Sequence, residues 1–389
     1  MRIKIPIKIA TMLLIGMPLA FHYDLAFQKR SVFDRSDYYG GTCGDLVADR
    51  FPQVMPEGFA ISDPLTSSIY NEPVAHLIAK KLKQGELPLW SNHIAFGSAI
   101  LANAQAGALF PLNWISYFVP DSLGIDFMIL VRLCACFYAC LLWLKFGFAM
   151  TWPGAIAGAV IYAFTGHATL KANMNTVNLY AVFPLYIWAI SAIHRNPTIR
   201  AGIAVAVTSA LMLVAGFPET AVATFYFGAG YHLFFLFSEA RKKWMKISVA
   251  VVGAYCLAGL LAAPQLLPLF AVMRTLEPAY RVGMGNEGVA FDGLIRSIPF
   301  PDYGHWSFIL HPGWLGVFGI VTVALGLIIA IRRRSGIMAF LVFMAFLYVS
   351  KTINIPFFGA LVNRLPYVTI THPSRDLSLW LWFPFSMLT

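Results

Sequence analysis

Long apolar runs alternate with short polar segments along this chain, and within each run the apolar residues are continuous rather than alternating with polar ones. Many runs approach the roughly 20 residues that a helix needs to cross the ~30 Å hydrocarbon core of a bilayer. Backbone polar groups in lipid must be satisfied internally, so continuous runs of this kind predict membrane-spanning helices. The pattern predicts about ten spans: one before Asp24, eight at about 125–144, 153–164, 177–193, 201–216, 220–237, 247–273, 313–331 and 336–349, and one that begins at Leu377.

The composition agrees with this pattern. Hydrophobic residues make up 59% of the 389 residues and charged residues only 12%, whereas soluble domains carry about 25% charged residues. These values argue against a soluble enzyme or a secreted domain. We therefore predict an all-α polytopic membrane protein with a single membrane domain over residues 1–389.

The positive charge of the chain indicates its orientation. The formal net charge is +10, which in a soluble protein would suggest a nucleic-acid partner. Here the densest basic clusters lie at predicted helix ends, at residues 241–246 and 332–334, and alternating spans place them on the same side as the basic N-terminus. Cytoplasmic segments are enriched in Lys and Arg. We therefore predict a cytoplasmic N-terminus, an uncleaved first helix and no nucleic-acid partner.

This topology predicts three longer extracytoplasmic segments, at 27–124, 274–312 and 351–376. The first contains a candidate amphipathic helix at Ser68–Lys83, which could lie on the membrane surface or pack against the protein itself. An apolar stretch follows that is broken by Asn103, Gln105 and Pro111. Such a broken stretch is typical of a re-entrant or interfacial segment, in which the two amides either orient a substrate or satisfy the backbone.

Several polar residues fall within or beside the predicted spans. Arg132 lies about two turns inside the second span, where an arginine either contacts an anion or snorkels to the interface. His167 and Lys171 lie in a short outer segment, where they could contact a phosphate or remain solvated. Glu219 occupies a tight turn between two spans, as a functional residue or as a helix cap.

Metal binding has no clear sequence signal. Cys134, Cys136 and Cys140 lie in one apolar run, and buried cysteines are the favoured interpretation there. No HExxH or CxxC pattern occurs. No metal ligands are predicted, although a divalent ion remains possible.

Several short motifs, in order along the chain, resemble the YfhO family of bacterial membrane proteins, which belongs to the GT-C glycosyltransferase superfamily. The motifs are Ser62-Asp63-Pro64-Leu65-Thr66, Gly85-Glu86-Leu87-Pro88-Leu89-Trp90, Leu101-Ala102-Asn103-Ala104-Gln105, Ala215-Gly216-Phe217-Pro218-Glu219, Ala263-Pro264-Gln265-Leu266-Leu267-Pro268 and Pro373-Ser374-Arg375. Phe217 and Glu219 stand where the family usually has His and Gln. The chain also ends before the further spans of the family.

The resemblance implies a GT-C-like helical bundle in the bacterial inner (cytoplasmic) membrane. It also implies transfer of a sugar from a polyprenyl-phosphate donor to an envelope glycan or lipid-linked acceptor at the outer face. The acidic residue that the family places in its first outer loop matches Asp63, which would act as the base, with Asp34 and Asp37 as rivals. Two alternatives stay open: a transporter or flippase for a lipid-linked substrate, and a non-catalytic scaffold of GT-C descent.

A phosphate leaving group departs with negative charge and needs cationic or hydrogen-bonding partners. The residues predicted to contact the donor phosphate are Arg132, His167, Lys171 and Arg375. Those predicted to orient the substrate are Asn103, Gln105 and Glu219.

Overall fold

The computed structural model describes residues 72–92, 97–119, 121–164, 168, 171–172, 174–238, 243–275, 316–333, 335–353, 355–368 and 377–388. Throughout these ranges the chain forms helices and no β-strand. An isolated bridge pairs Ser91 with Ser98. The prediction of an all-α protein is confirmed for this part of the chain.

Twelve α-helices follow one another in the described ranges. They are α1 (Glu72–Lys83), α2 (Pro111–Tyr117), α3 (Asp121–Leu142), α4 (Trp152–Phe164), α5 (Thr176–Arg195), α6 (Ile199–Val214), α7 (Pro218–Ser238), α8 (Trp244–Met273), α9 (Gly316–Arg333), α10 (Gly336–Thr352), α11 (Pro356–Asn363) and α12 (Leu379–Leu388). A 3-10 turn lies at Ala104–Ala106, and α3 continues as a π-helix over Trp143–Gly147.

Nine of the ten predicted spans fall on described residues, and each coincides with a helix. Within the described part, four helices are long and apolar enough to cross a membrane, namely α3, α5, α7 and α8. A fifth crossing results if α10 and α11, which are bent by 98°, count as one span. The helices α4, α6 and α12 and the apolar part of α9 are shorter. The described helices therefore support membrane association, with fewer full-length crossings than predicted.

At two predicted boundaries the helices extend beyond the predicted spans. The segment 351–376 was expected to be a loop, but α10 continues through Thr352 and α11 lies inside the segment. Lys351 suggested a loop because it is charged, yet it is fully buried at the end of α10. The helix α3 begins at Asp121, inside the first outer segment predicted for residues 27–124.

The helix α1 packs against the protein itself. Its buried side chains, Val74, Ile78 and Ala79, form a small apolar cluster with the segment that follows, and this cluster also includes Ile100, Leu101, Ala106, Ala108 and Tyr117. Of the two interpretations of the amphipathic pattern, packing on the protein is the one that the structure supports. The Ser68 end of the predicted helix lies outside the described residues.

The centre of the bundle is built around α12. The ring of Phe383 lies 4.6 Å from Trp143, 4.8 Å from Phe183 and 5.6 Å from Phe227, between ring centroids. The indole of Trp380 donates a hydrogen bond of 2.8 Å to the carbonyl of Ala223. The last described helix therefore fills the interior and connects α3, α5 and α7.

Buried polar side chains gather at one end of the bundle, which we call the polar end. It is formed by the starts of α5, α7 and α12 and by the end of α10, together with the segments packed on them. Its buried polar residues are Asn113, Arg132, Lys171, Asn175, Thr176, Asn178, Thr220, Thr224, Ser350, Lys351, Thr352 and Ser378. Lys145 and Arg195 lie at the opposite end, where they donate to the carbonyls of Met150 and Gly147.

Candidate functional site

A buried arginine organises the polar end. The guanidinium of Arg132, on α3, is only 6% exposed. It donates from Nε to Asn178 at 3.1 Å, from Nη1 to the carbonyl of Ala172 at 3.1 Å, and from Nη2 to the side-chain oxygens of Asn113, at 3.1 Å, and Asn175. Four of its five N–H groups therefore have an acceptor.

This geometry contradicts one interpretation of Arg132. A snorkelling arginine extends its head group to the interface, whereas this head group is enclosed by neighbouring segments of the protein. The predicted contact with a donor phosphate stays a prediction. Among the described residues, one N–H on Nη1 has no acceptor and remains available to donate to a phosphate.

The three asparagines that accept from Arg132 also hold distant backbone segments. Asn113 donates to the carbonyl of Gly107 at 3.0 Å, and Asn175 donates to that of Gln105 at 2.7 Å. Asn178 donates to the carbonyl of Ala215 at 2.9 Å. The network therefore connects the turn at 103–107 with the turn that precedes α7. Two of the motifs noted in the sequence, far apart along the chain, meet here.

Two glycines make this close approach possible. Gly107 has φ +55° and Gly216 has φ +102°, values that L-residues with a side chain rarely adopt. A Cβ at Gly107 would lie 2.7 Å from Nδ2 of Asn113, and one at Gly216 would lie 2.7 Å from Cβ of Asn175. Larger residues at either position would push the two turns away from the asparagines.

Among the described residues, the polar end contains the buried cations Arg132 and Lys171 and the carboxylate of Glu219 in the first turn of α7. The acceptors that surround Arg132 are neutral amide oxygens. Lys171, 2% exposed, directly precedes the Ala172 carbonyl that Arg132 binds. The helices α5 and α7 both begin here, and helix N-termini carry partial positive charge. This end therefore combines cationic groups with a carboxylate.

The side chain of Tyr117, in α2, lies within the field of Arg132. Burial raises the pKa of the Tyr117 phenol, and the positive charge of Arg132 opposes this rise only in part. Tyr117 is 4% exposed. It is therefore a neutral hydroxyl at physiological pH rather than a counter-charge for Arg132.

The predicted substrate-orienting residues have local roles in the structure. Asn103 accepts a hydrogen bond of 3.1 Å from the backbone of Gln105 and caps the 3-10 turn. Gln105 itself contributes its carbonyl to Asn175. The side chain of Asn103 thus satisfies the backbone of the broken segment, which was one of the two alternatives, whereas Gln105 takes part through its main-chain carbonyl. Glu219 lies in the first turn of α7, where a carboxylate is favoured by the helix dipole. Their contact with a substrate stays a prediction.

The remaining predicted residues cannot be related to this network. Asp63, His167 and Arg375 lie outside the described residues, so their roles stay predictions.

Cys136 and Cys140 are buried, as predicted, with Cys136 next to the carbonyl of Val177. The described residues contain no group of three or more His, Cys, Asp or Glu side chains that could hold a metal ion.

Sequence reasoning missed the three asparagines and Lys351. Asn175 and Asn178 are three residues apart, a spacing that places both on one helical face at the start of a predicted span. From this spacing, the sequence could have indicated that two asparagines lie side by side at the start of a span. Asn113 carried no such signal, because Arg132 and Asn175, with which it hydrogen-bonds in the network, lie 19 and 62 residues away along the chain.

Comparisons of the chain with protein-family models, with curated proteins and with solved structures find no match. The sequence resemblance to the YfhO family therefore stays a prediction. In its described residues the chain is all-α, with four helices long and apolar enough to cross a membrane, and its polar end holds an enclosed arginine among three asparagines.

Proposed function

We propose that the protein is a membrane glycosyltransferase that moves a sugar from a polyprenyl-phosphate donor to an envelope glycan or lipid-linked acceptor. The observation that supports this most strongly is the enclosed guanidinium of Arg132, which is held by four acceptors and keeps one N–H on Nη1 without an acceptor among the described residues. Buried cations are costly in a membrane protein unless an anion or a dense set of acceptors compensates them. A lipid-linked phosphate is an anion that reaches such a position from the bilayer.

The proposed reaction is a displacement at the anomeric carbon of the donor sugar. The acceptor hydroxyl forms the new C–O bond while the bond between the anomeric carbon and the phosphate oxygen breaks. The phosphate leaves with the electron pair, and Asp63 takes the hydroxyl proton. Lys171 and the remaining N–H of Arg132 stabilise the phosphate, with His167 and Arg375 as further contacts. Asn103, Gln105 and Glu219 orient the sugar or the acceptor.

The three asparagines act as positioning residues in this proposal. They fix the guanidinium of Arg132 in one orientation through their side-chain oxygens. Arg132 therefore presents Nη1 in one direction, beside the carbonyl of Ala172, and loses little rotamer entropy when the phosphate binds. In this proposal the chain forms a GT-C-like bundle of ten spans in the bacterial inner membrane. Its N-terminus is cytoplasmic and its polar end lies at the outer face.

The direct test is sugar transfer by purified protein in liposomes that contain polyprenyl-phosphate-linked sugars. We expect transfer by the wild type, a loss of at least tenfold in Lys171→Met, and loss of transfer in Asp63→Asn. Lys246→Met is the matched control, because Lys246 is exposed near the start of α8 at the opposite end, and it should retain wild-type transfer.

The outcomes separate the alternatives. Transfer that survives in Asp63→Asn would move the base to Asp34 or Asp37. Movement of the lipid-linked sugar across the bilayer without transfer would favour a flippase. A folded wild type that neither transfers nor moves the sugar would favour a non-catalytic scaffold.

A further inference from the structure

A buried amide on α8 has no hydrogen-bond partner. Gln265 is 1% exposed, and neither its Nε2 nor its Oε1 makes a hydrogen bond among the described residues. The buried asparagines of the polar end differ from it, because the amides of Asn113, Asn175 and Asn178 all have partners. A buried polar group without a partner opposes folding. A ligand that supplies both a donor and an acceptor would satisfy Gln265.

The turns of α8 around Gln265 contain further acceptors that the helix leaves without their usual donor. Pro264 and Pro268 lie inside this helix. Because proline has no N–H group, the carbonyls four residues earlier, those of Leu260 and Pro264, receive no helical hydrogen bond from these positions. The motif at residues 263–268 therefore places several incompletely paired polar groups within an otherwise apolar helix.

Contacts in the middle of the bundle relate α8 to its neighbours. The hydroxyls of Tyr186 on α5 and Tyr255 on α8 lie 2.6 Å apart, and the ring of Phe225 on α7 packs against both side chains. Phe225 precedes the short connection between α7 and α8, and Tyr255 follows it at a similar distance, so their contact makes the two helices antiparallel. The contacts of α5 with α7 advance in the same direction along both helices, so these two are parallel.

This register places Gln265 at the level of the polar end. Gln265 lies about 15 Å further along α8 than Tyr255, at about 1.5 Å per residue. The same distance along α5, taken toward its start, leads from Tyr186 to Thr176, and along α7 it leads from Phe225 to the turn before that helix. Asn178 holds this turn through the carbonyl of Ala215. Thr176 is fully buried, and its hydroxyl also has no partner among the described residues.

The side chain of Gln265 belongs to the buried face of α8. The buried residues of this helix recur at helical spacing, at Ile247, Val251, Ala254, Ala258, Ala262 and Gln265. The helix α8 packs most extensively on α6, which ends at Val214, directly before the turn at 215–217. Leu261 and Leu267, on other faces of α8, are exposed. Gln265 therefore lies on the side of α8 that faces the bundle.

We propose that Gln265 binds hydroxyl groups of the sugar that the polyprenyl-phosphate donor carries. This inference rests on the proposed function and adds a specificity-determining contact for the sugar to it. The two unpartnered atoms select the ligand, because Nε2 is a donor and Oε1 is an acceptor. An ionised phosphate offers acceptors alone and would leave Oε1 unsatisfied. A sugar hydroxyl both donates and accepts, so neighbouring hydroxyls satisfy both atoms of the amide.

The test compares the affinity of full-length protein in detergent for polyprenyl phosphate with its affinity for polyprenyl phosphates that carry glucose, galactose, mannose or N-acetylglucosamine. We expect the wild type to bind at least one of the sugar-bearing lipids about tenfold more tightly than polyprenyl phosphate. Gln265→Met keeps a similar side-chain volume but removes both polar atoms. It should lose this advantage and keep the affinity for polyprenyl phosphate. Leu261→Met is the matched control, because Leu261 is 52% exposed on the same helix, and it should keep both affinities.

Thermal unfolding of the ligand-free protein separates this role from a structural one. Because the amide of Gln265 has no partner among the described residues, its replacement by an apolar side chain of similar size should not destabilise the fold. We expect Gln265→Met to unfold at or above the temperature of the wild type. An unfolding temperature clearly below those of the wild type and Leu261→Met would show that the amide stabilises the fold, and this would overturn the inference.

The failure of this inference is distinct from failure of the proposed function. If the wild type prefers polyprenyl phosphate to polyprenol but binds none of the four sugar-bearing lipids more tightly, the phosphate site stands and the role of Gln265 is wrong. A sugar preference that persists in Gln265→Met would also overturn the inference and leave the proposed function intact. A wild type that does not distinguish polyprenyl phosphate from polyprenol would overturn both proposals.

Discussion

Arg132 donates a hydrogen bond from Nη2 to the side-chain oxygen of Asn175, 43 residues further along the chain. The same amide donates from Nδ2 to the carbonyl of Gln105 at 2.7 Å. Asn175 thus links the arginine of α3 to the broken segment that precedes α2. The position of the guanidinium and the fold of this segment depend on each other.

Replacing Asn175 should therefore destabilise the protein. In Asn175→Ala, Arg132 loses one acceptor and the carbonyl of Gln105 loses its donor. We expect a loss of about 1–3 kcal/mol of stability, because both groups are buried and remain unsatisfied. Thermal unfolding in detergent would measure this loss. Asn196→Ala is the control, since Asn196 is exposed at the end of α5 and caps the helix through its backbone.

A double-mutant cycle between Arg132→Met and Asn175→Ala tests whether the two residues act together. We expect a coupling free energy of about 1 kcal/mol or more, because residues that share a hydrogen-bond network are not additive. Additive losses would show that the contact between them does not contribute to stability.

Gly216→Ala should also be destabilising. Gly216 has φ +102°, and the new Cβ would lie 2.7 Å from Cβ of Asn175. The left-handed conformation alone costs about 1–2 kcal/mol for a residue with a side chain, and the contact adds to it. Gly202→Ala is the matched control, because its Cβ would meet no atom within 4 Å in the interior of α6. Unfolding temperatures that fall equally in the two variants would contradict the role of the turn.

The packing of α12 makes Phe383 the most informative core position. Phe383 is fully buried among aromatic rings. We expect Phe383→Ala to lose about 3–5 kcal/mol through lost transfer energy and the resulting cavity. Phe357→Ala should lose far less, because Phe357 is 73% exposed. A small effect at Phe383, measured by thermal unfolding, would show that α12 does not occupy the interior.

The sequence predicted the helices well because continuous apolar runs depend only on neighbouring residues. It placed helices correctly from α3 to α10, and it identified Arg132 as an unusual position. It ended the ninth span before Lys351, because a charged residue at the end of an apolar run is typical of the start of a loop. The chain instead buries Lys351 in the last turn of α10.

The partners of Arg132 were not predictable from local pattern. They come from residues 19, 40, 43 and 46 positions away, on segments whose relative placement depends on packing. Periodicity shows which helical face is apolar, but not which neighbour that face meets.

The most direct test of the proposed function compares the affinities of the purified protein for polyprenyl phosphate and for polyprenol. Because a charge-assisted contact contributes about 1.5–3 kcal/mol, we predict that the wild type prefers the phosphate by at least tenfold. The preference should shrink in Lys171→Met and persist in Lys246→Met. Equal affinity of the folded wild type for both lipids would contradict a phosphate site at the polar end, and with it the proposed transfer from a polyprenyl-phosphate donor.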